Sequence, residues 1–286
     1  MGDVNLDVLV RPRRPIEHGT DVPAEIRQRP GGAGANVAVG LARLGMSTTL
    51  VGCVGASDAS AVIEALHAAG VQLSLRSVGQ ARTGAIVAIV GADGERSMAS
   101  DRGANCALRE SDIGEELIAG HRHLHVSGYS FFDRGTGSAA RTAIGRARAL
   151  GRTVSVDPAS VAPMRAYGVA KFRAEITPVD LLLPNSDEAM LLSGSTEIEA
   201  AVSDLVRTFP VVVVTRGASG ALWADRGGVH QRPAPVLAGP VVDTTGAGDA
   251  FTAGLLAAWL AGRAPTDCLD AGQRRAAEVV TRWGAQ

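Results

Sequence analysis

The chain has 286 residues, 28 Lys and Arg against 29 Asp and Glu, a formal net charge of -1, 46% apolar residues and 3% aromatic ones. At roughly 100–200 residues per domain, this length allows one large α/β domain or a main domain with a small appendage. Balanced charge leaves no broad basic face, and few rings are available to stack bases, which excludes a dedicated nucleic-acid binder and favours small ligands. Apolar runs such as 85–90 and 211–214 are far short of the roughly 20 residues of a membrane span. Charges near the N-terminus occupy the place of a signal peptide's apolar stretch, so no membrane partner and a cytoplasmic location are expected. Cys53, Cys106 and Cys268 are odd in number and widely separated, which argues against a disulfide framework or a zinc site. Lys171 is the sole lysine and no Gly-x-x-x-x-Gly-Lys-Ser/Thr loop can be written, which excludes a Walker-type nucleotide site.

In chain order, 8–29 is rich in Pro, Arg and Glu with weak alternation. A helix at 35–44, a strand at 48–53 and a helix at 58–69 follow. The stretch 71–98 contains the apolar run 83–90, an Asp-Gly turn at 92–94 and the segment 95–98, a hairpin pattern. Beyond it the pattern predicts strands at 124–127, 153–157, 181–184 and 211–215 and helices at 136–150, 187–193, 198–209, 247–261 and 266–282. Gly45, Gly70, Gly151 and Gly262 stand at helix ends. This alternation predicts a parallel sheet with helices on both faces, and the two irregular stretches read as a small β appendage. Arg141, Arg146, Arg148 and Arg152 fall on a predicted helix and its exit and read as a solvated face.

Four constellations carry chemistry. In 241–251, small residues crowd the point where a loop becomes an apolar helix, so the backbone N–H groups of Gly246, Ala247 and Gly248 can converge on one oxyanion. Asp249 in that nest would repel a phosphate unless it takes a proton from an attacking hydroxyl; it could equally complement the helix dipole. The second constellation, 29–38, places Gly31, Gly32 and Gly34 before a helix, with Asn36 able to donate and accept toward a polyol; a tight packing turn is the alternative. The third, 184–188, lies at the C-terminal end of a strand, where open α/β sheets bind ligands. There Asn185 and Glu188 suit Mg²⁺ held through waters, or an ordinary helix cap. The fourth, 214–220, follows the strand 211–215 and could fold over a nucleotide phosphate or ribose, or form a plain turn.

Together, in this order, the four motifs resemble those of the ribokinase family, the PfkB-type carbohydrate kinases. The N-terminal signature matches at 31–36, Ala38, Gly45 and Gly55, and the C-terminal one at 243–254. The likeness runs from 2–7 to 282–285. It implies one α/β domain over 1–286, a doubly wound, mostly parallel sheet with helices on both faces, plus a β-sheet lid from about 7–29 and 72–101. It also implies transfer of the ATP γ-phosphoryl group to a primary hydroxyl of a sugar or nucleoside. By position, Asp249 resembles the family's base, and Gly246, Ala247 and Gly248 its anion hole. Asn5, Asp7, Gly32 and Asn36 would touch the acceptor. Arg102, with Asp101 and Asn105, would reach it or form a structural turn. Asn185 and Glu188 match the motif that organises Mg²⁺ and phosphate; Thr215, Gly217 and Gly220 match the nucleotide loop; Gln273 falls near the adenine. Asp243 and Thr245 resemble a monovalent-cation loop, usually for K⁺. Lid pairing across subunits implies a homodimer. The remaining alternatives are a kinase of a hydroxymethyl heterocycle and a catalytically weak ligand-binding member.

The chain departs from the pattern in four places. Met1 directly precedes Gly2 and Asp3, so most of the first, central strand is expected to be missing. Ala33 stands where ribokinases proper often have Lys, which weakens a ribose assignment. Asp157-Pro158-Ala159-Ser160 starts a common family motif without its following Asn, which puts a contact there in doubt. The chain stops at Gln286, just past the Gly-Ala that helps close the cation loop.

Overall fold

Strand residues of alternating direction divide the interior into two layers. Along β9 (Leu181–Leu182), β10 (Val211–Thr215) and β11 (Ala221–Asp225), one set of side chains, Leu182, Val212, Val214, Leu222 and Ala224, faces one apolar cluster. The other set, Leu181, Leu183, Val213, Ala221 and Trp223, faces a second cluster on the opposite side of the sheet. The period of two thus buries both faces, as a sheet between two helix layers requires. A computed structural model describes residues 1–91, 96–177 and 179–281.

In chain order, the first half comprises β1 (Asn5–Pro12), β2 (Ala24–Gly31), α1 (Ala33–Arg43), β3 (Thr49–Gly55), α2 (Ser60–Ala68), β4 (Gln72–Val78), β5 (Gly84–Val90), β6 (Arg96–Asp101) and α3 (Glu115–Ala119). Then come β7 (His123–Ser127), α4 (Arg134–Ala149), β8 (Thr153–Asp157), α5 (Val161–Tyr167), α6 (Val169–Ile176) and β9. After β9 follow α7 (Ser186–Ser193), α8 (Ile198–Leu205), β10, β11, β12 (Gly228–Arg232), α9 (Ala247–Leu260) and α10 (Pro265–Val280).

The larger sheet has the order β12-β11-β10-β9-β8-β7, parallel from β10 to β7 and antiparallel at β11 and β12. On one face α4 buries Ala139, Ala140, Ala143, Ile144 and Ala147, a helical stripe. The opposite face is covered by α9 and α10. Helix α9 is apolar nearly all round because it is sandwiched, burying Phe251, Leu255 and Leu256. Each fully buried Leu or Phe of these layers contributes about 1.5–3 kcal/mol.

Beyond β7 the short segment 1–4 takes the central place. Ser127 N–H donates to Met1 O at 3.1 Å and the Met1 amine donates to His125 O at 2.7 Å, while Gly2 N–H donates to Val51 O at 3.1 Å on β3. The main chain of two residues therefore links β7 to the parallel pair β3-β4. Below this link, at the end of the sheet remote from the strand C-termini, lies a cavity of about 360 Å³ lined by Met1, Leu50, Leu124 and His125 among others.

The lid is a four-stranded sheet of order β2-β1-β5-β6. Strand β1 pairs antiparallel with β2, Asp7 opposite Arg29, and parallel with β5, Asp7 opposite Ile86. Residues 72–78, read from sequence as part of the lid, form β4 beside β3 instead; Leu73 and Leu75 pack on the body cluster of Leu50, Leu66 and Val71, and that burial sets their partner. The expected turn at 92–94 and the segment from 282 onward lie outside the described residues.

Candidate active site

The cleft at the C-terminal ends of β8, β9 and β10 has a volume of about 680 Å³ and is closed on one side by the lid. Asp7, Ile86 and Met98 line it from the lid; Gly32, Ala33 and Asn36 from the start of α1; Asp157 from the end of β8; Asn185 and Glu188 from α7; Thr215 and Gly217 from the turn after β10; and Thr245, Gly246, Gly248 and Asp249 from the start of α9. Residues far apart in sequence meet here because parallel strands deliver their loops to one edge.

Helix α9 begins after Gly246, whose φ of 74° is left-handed and suits glycine. That turn brings Gly248 in the first turn of the helix to the cleft, where its amide is placed for an anion. The Ala247 amide instead donates to Thr244 O at 3.2 Å and Ala247 does not line the cleft, contrary to the expectation that it joins the anion hole. Asp249 sits in the same first turn. Burial pushes its carboxyl up to about 6, and a hydrogen bond from Asn36 Nδ2 to its Oδ2, at 2.8 Å, opposes the rise. A half-buried carboxylate of that affinity, deprotonated at neutral pH yet more basic than an exposed one, is suited to take a proton from a hydroxyl.

Asp7 faces it from the lid. Its carboxyl is pushed up to about 7, first by burial and then by the charges of Asp249 and Asp243. Its Oδ1 is buried and has no hydrogen-bond partner within the protein, so a donor from a ligand is wanted there. The approach is tight: a Cβ at Gly31 would lie 2.0 Å from Asp7 Oδ2.

Asn185 and Glu188 do cap α7. Glu188 N–H donates to Asn185 Oδ1 at 2.9 Å, and Asn185 N–H donates to Glu188 Oε2 at 2.9 Å. The cap and a ligand role are compatible, because the box fixes the Glu188 carboxylate at the cleft wall. Burial raises Glu188 to about 7 against the opposing donors from Asn185. Asp157 was not among the residues picked out from the sequence as site residues. Burial, then the charges of Glu188 and Asp249, hold it well above the usual carboxylate range. Its Oδ1 accepts the amide of Ala159 at 2.8 Å, and Ala159 has a φ of 74°, unusual for a residue with a Cβ. The Asp-Pro start of that segment was the available signal. Glu188, buried, and Asp157, half-buried, carry carboxylates whose charges act on one another, a pair that a cation would relieve. Among the described residues no group of three or more His, Cys, Asp or Glu is placed to hold a metal ion. Asn185, Asp157 and Glu188 offer oxygen donors of the kind that suit Mg²⁺ completed by waters and phosphate.

The remaining sequence-picked residues divide. Thr215 and Gly217 line the cleft, while Gly220 stands behind the same turn, where a Cβ would lie 2.1 Å from Arg232 O. Gln273, on α10, is buried and donates to Arg232 O at 2.9 Å. Asp243 is buried, and its Oδ1 accepts the amide of Thr245 at 2.8 Å, a carboxylate beside the anion site that fits a monovalent cation. Asn5 and Arg102 sit one layer away. Asn5 Oδ1 accepts from Asn105 Nδ2 at 2.8 Å, and Asn105 is itself bonded to the Val4 main chain. Arg102 donates to both oxygens of Asp3, at 3.2 and 2.9 Å, and to Asp133.

A family model described as pfkB family carbohydrate kinase matches residues 1–286. The chain belongs to the pfkB family. This PfkB kinase is accordingly a phosphotransferase with an alcohol acceptor. It is 33% identical to an ATP-dependent ribose-1-phosphate kinase of Halopiger xanaduensis over 99% of this chain and 89% of that one. It is 31% identical to a fructokinase of Salmonella typhimurium over 93% of this chain and 85% of the other. An adenosine kinase structure from Sinorhizobium meliloti superposes with a TM-score of 0.91 at 24% identity, covering 100% of this chain and 94% of that one, a likeness of fold. The ribokinase-like architecture of a doubly wound body with a β lid is thus that of the PfkB kinases.

Proposed function

We propose that this PfkB kinase transfers the γ-phosphoryl group of ATP to a primary hydroxyl of a sugar or nucleoside. The observation that carries the reading is Asp249, a half-buried carboxylate in the first turn of α9, held by Asn36 at the helix start and facing Asp7 across one cleft. Asp249 accepts the hydroxyl proton as the acceptor oxygen bonds to the γ-phosphorus and the bond to the ADP oxygen breaks. The Gly248 amide receives the charge on the transferring group. Thr215, Gly217, Gly220 and Gln273 would serve the nucleotide, and Asp7, Gly32 and Asn36 the acceptor, with Asn5 and Arg102 supporting from behind. Glu188, Asn185 and Asp157 would hold Mg²⁺, which neutralises phosphate charge when bound. Asp243 and Thr245 would hold K⁺.

The acceptor reading is supported by charge. Among the described residues lining the cleft, Asp7, Asp157, Glu188 and Asp249 are acidic and no Lys or Arg is present. A neutral polyol suits that lining better than a sugar phosphate, and the lid favours a polyol over a hydroxymethyl heterocycle.

The outer face of the lid supports a homodimer. Val8 and Val10 share it with Ile26, 61% exposed, and Val87, 36% exposed, an apolar sheet face that a second copy would cover. Among the described residues no helix is long and apolar enough to cross a membrane.

The test is an ADP-release assay with ATP, Mg²⁺ and K⁺ against pentoses, hexoses, keto-deoxy acids and nucleosides, with Asp249→Asn as control. Turnover that disappears in the variant supports the reading; turnover that survives it removes Asp249 as the base. Light scattering tests the dimer, which a monomer at micromolar concentration would refute.

A further inference from the structure

The segment between β12 and α9 exposes its apolar residues, with Val236 fully accessible and Val241 57% exposed. Val242 is different. Its side chain packs against Leu9 of β1 and Ala88 of β5, each only 2% exposed. Leu9 follows Asp7 on the same face of β1, and Ala88 follows Ile86 on the same face of β5, so Val242 touches the lid one step beyond its cleft-lining residues.

The main chain of Val242 is tied elsewhere. Its N–H donates to Val280 O, at the end of α10, at 2.8 Å, and the next amide, Asp243, reaches the same oxygen at 3.3 Å. Asp243 Oδ1 then accepts the Thr245 amide, directly before the Gly246 turn that opens α9. One β-branched residue, stiff at χ1, therefore has its side chain in the lid and its backbone in the loop that shapes the anion site.

We propose that Val242 is a positioning residue that couples the lid to the anion-hole loop, so that ordering either one orders the other. The proposal rests on the reading of the lid as acceptor cover and of 246–248 as anion site. Moving lid or loop alone would expose Leu9 and Ala88, whereas moving both together keeps them covered. Nucleotide on one side and acceptor on the other would then favour the same arrangement of the protein.

Hydrogen exchange read by mass spectrometry on the full chain tests this without any substrate. Leu9→Ala is expected to speed exchange at 243–248 by about fivefold or more, as a shared opening unit would. Val8→Ala, on the opposite lid face, should leave 243–248 unchanged. Val242→Ala should speed exchange in both 5–10 and 243–248, and the double variant should be no faster than the more affected single one. Acceleration by Leu9→Ala confined to the lid would overturn the coupling, as would general acceleration throughout the body, the mark of plain destabilisation.

A second arm adds Mg²⁺ and a non-hydrolysable ATP analogue. Protection should spread from 243–248 to 5–10 in the wild type and stay at 243–248 in Val242→Ala. Protection of the loop without the lid in the wild type would also overturn the coupling. No protection anywhere would count against the nucleotide reading, while the substrate-free arm would still decide the coupling.

Discussion

Asn36 and Asp249, separated by 213 positions in the chain, are joined by a 2.8 Å hydrogen bond in which the Asn36 amide donates to the carboxylate. Helix α1 contributes one and helix α9 the other, and the packing of their first turns holds the pair at the cleft. The donor favours the charged form of Asp249, while burial disfavours it. With the balance at about 6, the base is active above that pH and is lost as pH falls through it. Asn36→Ala removes the opposing term, so the acid limb of the kcat/KM profile should move upward by about one pH unit. A limb that stays in place would show that another group controls ionisation.

Gly248 separates binding geometry from folding. A Cβ there would meet nothing within 4 Å, so Gly248→Ala should fold normally. Its methyl group would stand in the space left for the transferring group, and kcat should fall by about a hundredfold, comparable to losing one oxyanion donor. Gly246→Ala should behave differently. Its φ of 74° would cost a residue with a Cβ about 1–2 kcal/mol, visible as a lower Tm. Paired melting and kinetic measurements on both variants check the contrast.

Asp7 predicts a pH dependence of acceptor binding distinct from that of Asp249. Its carboxyl lies near 7, so its ionised form grows as pH rises through neutrality. Acceptor KM should fall over that interval if the charged oxygens receive the acceptor's hydroxyl protons. Asp7→Asn should abolish this dependence and raise KM about tenfold or more, on the scale of a charged hydrogen bond. A KM that is flat with pH in the wild type removes the role.

Arg102 is expected to be a stability residue. It joins Asp3, itself only 7% exposed, to Asp133, and removing it leaves Asp3 without its guanidinium partner. Arg102→Ala should cost about 2–4 kcal/mol in denaturant unfolding, with kcat retained at temperatures where the variant is folded. A specific rise in acceptor KM with unchanged stability would restore the direct contact suggested by its place after the lid.

The parts of the site carried by local chemistry were legible in the sequence. Gly246 to Asp249 and Gly31 to Asn36 each combine small residues, a helix start and one polar side chain within a few positions, and the structure brings both to the cleft. Asn185 and Glu188 were legible as both cap and ligand, and the capping box shows why one pattern serves two readings. Asp157 was harder. Its significance depends on Glu188 beside it, a proximity created by the β8-β9 pairing and by nothing near it in sequence. The same limit applies to β4, whose partner is chosen by Leu73 and Leu75 finding the core under β3, and to the β11-β12 hairpin, whose Trp223 and Ala221 are defined as core by α9 and α10. The central segment 1–4 is a third case. Its main chain reaches β3 through the Gly2 amide and β7 through two hydrogen bonds of Met1, which no local pattern encodes.

The four carboxyl groups of the cleft, Asp7, Asp157, Glu188 and Asp249, are all held above their ordinary range by burial. Near neutral pH, where Asp249 is already mostly ionised, the other three groups retain protons that exposed carboxylates would have shed, and the cleft acts as a small acid store. Cationic ligands favour the ionised forms, so their entry drives those protons into the buffer. The heat of binding measured by calorimetry should then scale with the ionisation enthalpy of the buffer chosen, and a weakly buffered solution should acidify on mixing. The enzyme would meet its charged ligands with a discharge of protons, which keeps the cleft from carrying four bare charges while it waits.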